Sequence, residues 1–226
     1  MEKDNQKLLI PYRQYEEVRD SVWRLILNMG IKELPVKISR VLSVLGIGLY
    51  TYQDNSAMIA LLGLADLTKT CDGFTVVQNQ RYIIFYDNTK QPTRIRFTLA
   101  HELGHIILEN GFSKTDTGVL YTTRNNEPNK KDNPQETAAN MFAARLLAPS
   151  CVLHELNLLT VEEIMKYCSI SKTAAEFKLE RIMLLENRNK RFLKGRGYGC
   201  FYLSPLEQQV KQQFEEYINT ARKYRA

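Results

Sequence analysis

Two of the three histidines in this 226-residue chain lie four residues apart in the segment RIRFTLAHELGHIILEN, residues 94–110, and a glutamate directly follows the first of them. Residues i and i+4 share one face of an α-helix, so the imidazoles of His101 and His105 can approach one metal ion. Glu102 is rotated by about 100° from His101, which places its carboxylate beside the ion, where it can act on a water as a general base. The spacing therefore predicts a catalytic metal site.

Apolar residues surround these polar ones and predict that the helix is buried; they are Ile95, Phe97, Leu99, Leu103, Ile106 and Ile107. Buried imidazoles and carboxylates are costly without a partner, and a metal ion would remove that cost. The alternative is that the histidines are surface or satisfied core residues and that the HExxH pattern is accidental. Gly104 costs a mid-helix position about 1 kcal/mol relative to Ala, which fits another backbone or a substrate passing close to it.

A catalytic zinc ion usually has three protein ligands, so a third ligand is needed. Glu109 lies about 12 Å along the helix axis from His101, which is too far for both to bind one ion. The other candidates are His154, Asp116, Glu127, Asp132 and Glu136. Glu136 is preferred because a helix can hold it rigidly. However, Asn133 to Glu136 also fits a capping box, in which Glu136 only bonds the Asn133 amide, and the residues alone leave both roles open.

The segments around the histidine helix predict what positions it. Residues 73–88, GFTVVQNQRYIIFYDN, contain two β-branched and aromatic runs around a polar turn, which predicts a hairpin that could offer an edge strand to an extended substrate. Residues 111–133 are polar and long for a loop, so we expect a mobile or functional segment there that could act as a gate. A helix is predicted from Asn133, its N-cap, to Pro149.

Composition excludes several classes of protein. With 44% hydrophobic residues and only seven prolines, the chain can form one main globular domain with extensions. Its start has no apolar leader, and its longest apolar runs fall well short of the roughly 20 residues that span a bilayer, so we expect a cytoplasmic protein without a membrane segment. The four cysteines form no CxxC pair, which predicts reduced thiols.

Residues 159–185 predict two helices with Thr160 and Ser171 as N-caps, in an outline that resembles a helix-turn-helix. The second helix combines basic and acidic residues, which are Lys172, Lys178, Arg181, Glu176 and Glu180. This is a weak basic signal, so direct DNA binding is possible but disfavoured. From Arg181 to Ala226, ten lysines and arginines against four glutamates account for the whole net charge of +6. Residues 186–226 predict a basic linker and an amphipathic helix that is docked or seeks a partner.

Three segments taken together resemble the ImmA/IrrE family of zinc metallopeptidases: RIRFTLAHELGHIIL, ETAANMFAARLLAP and SISKTAAEFKLERI. The likeness covers roughly residues 30–185. It implies Zn²⁺ as the cofactor, with three ligands, which are His101, His105 and Glu136. It also implies that Glu102 is the catalytic base. Asn140, one turn beyond Glu136, takes a position that is often Asp and could orient a ligand histidine.

The resemblance implies an α+β fold: a mostly helical, zincin-like metallopeptidase domain with a small β-sheet beside the histidine helix, plus a C-terminal helical extension. We expect the domain to span residues 1–185, including the helix-turn-helix-like segment at 159–185, and the extension to span 186–226. No cofactor besides zinc is expected, and the oligomeric state is not predicted.

Members of the family are typically encoded in bacteria or their prophages and mobile elements, and they cut helix-turn-helix repressors at one site. The resemblance therefore implies a site-specific zinc metalloendopeptidase that releases silenced genes of a prophage, a mobile element or a stress response. Two alternatives stay open. One is a non-proteolytic regulatory or DNA-binding protein in which zinc completes the fold, and the other is a toxin-like peptidase of a toxin–antitoxin pair.

Overall fold

A computed structural model describes residues 12–115, 119–122, 133–192 and 203–224. The described chain is mostly helical and contains one five-stranded sheet, which confirms the predicted α+β class. It divides into two compact units. The first comprises the described residues of 1–21 and 38–143, and the second those of 22–37 and 144–226. The histidine helix and the whole sheet belong to the first unit.

The helices are, in chain order, α1 Tyr12–Asn28, α2 Ile38–Val44, α3 Ser56–Leu61, α4 Leu67–Thr70, α5 Pro92–Leu108, α6 Pro134–Leu147, α7 Ser150–Glu155, α8 Val161–Cys168, α9 Lys172–Phe192, α10 Pro205–Gln213 and α11 Glu215–Lys223. The strands are β1 Gly48–Thr51, β2 Gly73–Gln78, β3 Arg81–Tyr86, β4 Phe112–Lys114 and β5 Leu120–Thr122. Proline opens α5, α6 and α10, where its missing N–H sacrifices no helical hydrogen bond.

The strands lie in the order β1-β3-β2-β5-β4, with β1 parallel to β3 and the other pairs antiparallel. The predicted hairpin is β2–β3, and its turn residues Asn79 and Gln80 both have positive φ, as the common two-residue hairpin turn requires. Both of its strands lie inside the sheet. Among the described strands the edges are β1 and β4, so the prediction that the hairpin offers an edge strand is wrong.

The polar segment 111–133 is not a loop throughout. Its residues form the hairpin β4–β5, and β5 pairs with β2 through Val76–Tyr121 and Val77–Leu120. Three-residue strands are too short for an alternating pattern to be counted, so the sequence gives no sign of them. The gate predicted for this segment falls largely on residues 116–118 and 123–132, which lie outside the described residues.

The two faces of β2 pack against different parts of the first unit. Phe74 and Val76 join an apolar cluster whose other members are Tyr52, Ile59, Leu62, Leu64 and Phe85. Gly73 and Thr75 alternate with them along the strand and point to the opposite face, where α5 packs. A Cβ at Gly73 would lie only 2.5 Å from Thr98 Cγ2, so the glycine lets α5 pack closely on the strand. The buried middle of α5 is thereby fixed against the sheet.

In the second unit, α8 and α9 are the predicted pair of helices. Thr160 caps α8 in a capping box with Glu163, and Ser171 Oγ accepts the Ala174 amide in the first turn of α9. Because α9 continues to Phe192, the predicted boundary after residue 185 lies within one helix. The predicted division into domains itself stays a prediction.

The C-terminal helix is docked in the second unit, and it is two helices instead of the predicted one. α10 and α11 meet at Phe214, which is buried together with Val210 and Ile218. Gln213 Nε2 donates hydrogen bonds of 2.9 and 2.7 Å to the main-chain oxygens of Ile26 and Ile31. α10 also packs against α7 within this unit, so the structure supports a docked helix over one that seeks a partner.

Two further expectations concern the whole described chain. Cys71, Cys151 and Cys168 are buried and no disulfide joins them, while Cys200 lies outside the described residues, and the reduced state of the thiols stays a prediction. None of the described helices combines the length and the apolar composition that a bilayer crossing requires.

Lys178 is buried, although the sequence places it on the basic face of a helix that could read DNA. Only 8% of it is exposed, and its Nζ lies 3.5 Å from Ser150 Oγ. Burial, together with the nearby charges of Arg145 and Arg181, lowers the pKa of Lys178 to about 7. A buried amine cannot contact a phosphate, so the basic signal of α9 is weaker than the sequence indicates.

The depressed pKa of Lys178 predicts how the stability of the protein changes with pH. Below pH 7 the lysine is charged in both the folded and the unfolded protein, so the free-energy cost of burying its charge is fully present. Between about pH 7 and its usual pKa of 10.5, only the unfolded chain binds the proton, so raising the pH stabilises the fold by about 1.4 kcal/mol per unit. The stability of Lys178→Met relative to the wild type should therefore fall by about 2–3 kcal/mol between pH 6 and pH 9.

Urea unfolding of both proteins at several pH values measures this difference. Lys172→Met is the matched control, because Lys172 lies on the same helix with its side chain 70% exposed, and its difference from the wild type should not change with pH in this way. A difference for Lys178→Met that is constant from pH 6 to pH 9 would contradict the assignment.

Candidate metal centre

The end of α5 holds one histidine by its Nδ1 atom. Glu109, the C-cap of α5, and Gly111 both have positive φ, so the chain turns back over the helix. This turn brings Asn110 to His105, whose Nδ1 lies 3.1 Å from the main-chain oxygen and 3.0 Å from Oδ1 of Asn110. Because a carbonyl oxygen can only accept, His105 Nδ1 carries the hydrogen and donates it.

Helix α6 holds the other histidine in the same way. His101 Nδ1 lies 3.0 Å from Asn140 Oδ1 and donates to it, a contact that agrees with the role which the family resemblance implies for Asn140. α6 can approach α5 closely because a Cβ at Gly104 would lie 3.2 Å from the Cα of Ala139. The mid-helix glycine therefore makes room for a backbone, which is one of the two explanations that the sequence offers for it.

Glu136 completes the cluster. Its Oε2 lies 3.3 Å from His101 Nε2, and its Oε1 lies 3.2 Å from His105 Nε2. The Asn133 side chain caps α6 through the Gln135 amide, so Asn133 does act as the predicted N-cap. The Glu136 side chain, however, contacts the histidines, and this position supports the ligand role over the capping box.

The three side chains direct lone pairs at one another. Since both Nδ1 atoms carry hydrogens, a neutral imidazole at either position has its lone pair on Nε2. The two Nε2 atoms lie 3.1 Å apart, and a carboxylate faces both of them. Lone pairs at such distances repel unless a proton or a cation lies between them. The arrangement therefore calls for a positive charge at its centre.

The pKa shifts of His105 and Glu136 also favour a positive charge next to the carboxylate. Burial alone would lower the pKa of His105, but the hydrogen bond to Glu136 and the charges of Glu102 and Glu136 outweigh burial and raise it. Burial would likewise raise the pKa of Glu136, but the hydrogen bonds and charges of His101 and His105 lower it to about 2. The carboxylate is thus an anion that pairs with a cationic partner.

The donor set fits a divalent metal ion. Ligands bound at about 2.0–2.1 Å in a tetrahedral site lie about 3.3–3.4 Å from one another, close to the 3.1–3.3 Å that separates these donors. Among the described residues, this is the only group of three or more His, Cys, Asp or Glu side chains that could hold a metal ion. Two imidazoles and one carboxylate also leave a position for a water, as catalytic sites do.

Glu102 lies next to this donor set and is itself buried. Its Oε2 accepts hydrogen bonds from Thr75 Oγ1 at 2.8 Å and from Thr122 Oγ1 at 2.6 Å. Its Oε1, also buried, has no hydrogen-bond partner among the described residues. A buried carboxylate oxygen without a donor is costly, and it marks a place where a water or a substrate group can bind.

The remaining sequence candidates are not part of the described cluster. Glu109 is exposed at the end of α5, and His154 lies in the second unit, 3.5 Å from Glu186. The candidates of the polar segment, Asp116, Glu127 and Asp132, lie outside the described residues. The structure therefore brings together His101, His105, Glu136, Asn140 and Glu102, while their roles in binding and catalysis stay predictions.

Sequence reasoning missed the residues that support the site from strands and turns. Asn110 and Gly111 predict the end of the histidine helix, but the sequence does not show that this turn reaches back to His105. Thr75 and Thr122 gave no signal. Threonine is common in strands, and nothing near them in the sequence points to a carboxylate 27 or 20 residues away.

A helix that carries HExxH on a small sheet, with a carboxylate from the next helix facing both histidines, defines a metallopeptidase of the zincin type. The family model described as the IrrE N-terminal-like domain, Peptidase_M78, matches residues 62–180, more than half of the chain. The chain belongs to this family, which confirms the resemblance seen in its sequence. Comparisons with curated proteins and with solved structures give no match.

Gly111 tests whether the turn after α5 positions His105. A Cβ at Gly111 would lie 2.5 Å from His105 Nδ1, so Gly111→Ala should displace the ring and lower Zn²⁺ affinity by about ten- to hundredfold. Gly63→Ala is the matched control, because Gly63 has nearly the same φ, +74 against +76, and nothing within 4 Å of its Cβ position. Competition with a chromophoric chelator measures both affinities. Equal affinities of the two variants would contradict this role of the turn.

Proposed function

We propose that this protein is a site-specific zinc metalloendopeptidase of the cytoplasm that cleaves a helix-turn-helix transcriptional repressor, and that cleavage releases the genes of a prophage, a mobile element or a stress response. Membership of a metallopeptidase family supports the peptidase activity. The observation that carries the proposal is the convergence of His101, His105 and Glu136 next to Glu102, a buried carboxylate with one free oxygen.

Zinc is the ion that we propose for the site, with His101, His105 and Glu136 as its ligands. Two imidazoles and one carboxylate are a donor set that also suits Fe²⁺ or Mn²⁺, but an HExxH helix is typical of zinc enzymes. The ion would act as a Lewis acid that polarises the scissile carbonyl and makes a water acidic near neutral pH. Asn140 and Asn110 keep both histidine rings in the tautomer that leaves Nε2 free to bind.

Glu102 performs the proton transfers in this mechanism. Its free Oε1 accepts the proton of the attacking water and later delivers it to the amine that leaves. Burial of the carboxylate limits competing hydrogen bonds from bulk water, so the proton has few other destinations. No covalent intermediate with the protein is required.

The repressor is proposed from the family resemblance. ImmA/IrrE proteins typically act on helix-turn-helix repressors. A repressor bound to bacterial DNA is in the cytoplasm, where we propose that this protease is located. The toxin-like alternative needs the same active site and differs only in its substrate. A non-proteolytic role is less well supported, because structural zinc sites are usually closed by four ligands, often cysteines, and the described donor set contains none. Direct DNA binding by α9 loses support because Lys178 is buried.

Cleavage of a helix-turn-helix repressor encoded next to this protein tests the proposal. The zinc-loaded wild type should cut it at one site, and Glu102→Gln should cut at least about a hundredfold more slowly because the base is lost. Metal content, measured on the same samples, should stay equal, since Glu102 is not a ligand. Mass spectrometry of the fragments locates the cut.

Glu109→Gln is the matched control, since Glu109 is an exposed carboxylate at the end of the same helix and should be dispensable. Chelation should abolish cutting, and zinc should restore it. An intact repressor that binds the wild type and Glu102→Gln equally would contradict the protease and favour the regulator. Cleavage of other cellular proteins with the repressor spared would favour the toxin-like peptidase.

A further inference from the structure

The carboxylate of Glu102 is held by one of its two oxygens only. Oε2 accepts two short hydrogen bonds, from the hydroxyls of Thr75 and Thr122, while Oε1 has no partner among the described residues. All three side chains are buried, with no more than 1% of each exposed. The asymmetry between the two oxygens is therefore set by the protein's own hydrogen bonds.

The two threonines come from neighbouring strands and lie opposite each other. The register that pairs Val76 with Tyr121 places Thr75 of β2 across from Thr122 of β5, with both side chains on the face that α5 covers. The Thr75 amide donates a hydrogen bond of 2.7 Å to Thr122 Oγ1. Side chain and backbone thus join the two strands at the point where they meet Glu102.

The hydrogen atoms of this network have only one arrangement. A hydroxyl has one hydrogen to donate, and an ionised carboxylate can only accept. Both hydroxyl hydrogens are therefore directed at Oε2, and Thr122 Oγ1 uses a lone pair for the Thr75 amide. Rotation of either hydroxyl away from Oε2 would break a bond to a buried charge, which costs more than loss of a bond between neutral groups.

We propose that Thr75 and Thr122 are positioning residues that clamp Glu102 by Oε2 and so fix Oε1 as the oxygen that exchanges the proton. The inference rests on the proposed peptidase function. A glutamate side chain has three rotatable bonds, and proton transfer requires its oxygen to lie within about 2.6–3.2 Å of the reacting atom. A clamp anchored on two strands supplies that precision, which α5 alone cannot, because it fixes only the backbone of Glu102.

A first experiment tests the clamp without any substrate. In metal-free protein, Thr75→Val should lower the folding equilibrium constant about ten- to hundredfold, because a buried carboxylate loses a donor. In a Glu102→Ala background the same substitution should cost less than about threefold, since no charge then needs the hydroxyl. Thr122→Val also removes the acceptor of the Thr75 amide, so it should lower stability in both backgrounds, with the larger loss when Glu102 is present. Equal losses in both backgrounds would overturn the clamp.

A second experiment measures what the clamp does for catalysis. With the fastest-cleaved member of a library of internally quenched peptides, Thr75→Val and Thr122→Val should each lower kcat about ten- to hundredfold. KM and Zn²⁺ affinity should stay within about twofold of the wild type, because neither threonine contacts the donor set in the described structure. Thr75→Ser and Thr122→Ser retain the hydroxyl and should restore kcat to within about threefold.

Thr98→Val is the matched control for both experiments. Thr98 is equally buried on the same side of α5, one turn before Glu102, but its Oγ1 has no hydrogen-bond partner among the described residues. Its replacement should leave kcat unchanged. Unchanged kcat in both threonine variants with normal metal content, or a loss that serine does not reverse, would overturn the positioning role.

The two experiments separate this inference from the proposed function. If the wild type with bound zinc cleaves no peptide of the library and no neighbouring repressor, the peptidase proposal fails, and the folding experiment alone decides whether the threonines clamp Glu102. If the wild type cleaves but the substitutions affect neither kcat nor the coupling to Glu102, the peptidase proposal stands and the clamp is wrong.

Discussion

Lone pairs of His101, His105 and Glu136 repel one another in the first unit, and this repulsion explains the other features of the site. Two imidazole nitrogens and a carboxylate lie within 3.1–3.3 Å of one another, and the hydrogen bonds of Asn110 and Asn140 prevent the rings from turning their N–H groups inward. Only a positive charge makes such a cluster favourable in a buried position. A metal ion meets this need without consuming the protons that the histidines would otherwise have to bind.

Glycines stand at the points where other parts of the chain pack closely against α5. Gly73 lets β2 lie against it, Gly104 admits the backbone of α6, and Gly111 leaves room for the ring of His105. A side chain at any of these positions would meet atoms at 2.5–3.2 Å, so neighbouring elements would have to move. The positions of the donor atoms therefore depend on these glycines as well as on the ligand residues.

Local patterns made a large part of this arrangement predictable. The i, i+4 spacing of His101 and His105 and the hairpin β2–β3 follow from periodicity and residue type, while the class of fold came from the family resemblance. The role of Glu136 could not be predicted from local patterns, because its sequence context fits a helix cap equally well. Only the family resemblance favoured the ligand role. The β4–β5 hairpin and the threonine contacts to Glu102 were not predicted. They depend on pairing between segments that are distant in the sequence, and such pairing produces no periodic pattern of residues. The burial of Lys178 was not predicted, because the position of a residue along a helix does not show which other elements pack against it.

Crystals of the wild type grown with Zn²⁺ and measured above and below the zinc absorption edge would show whether this cluster holds a metal ion. We expect one strong anomalous peak in the first unit, from an ion at about 2.0–2.2 Å from Nε2 of His101, Nε2 of His105 and a carboxylate oxygen of Glu136. The Nδ1 contacts of both histidines should be retained. A fully zinc-loaded crystal without a peak among these three residues, and with the imidazoles instead sharing a proton with Glu136, would contradict it.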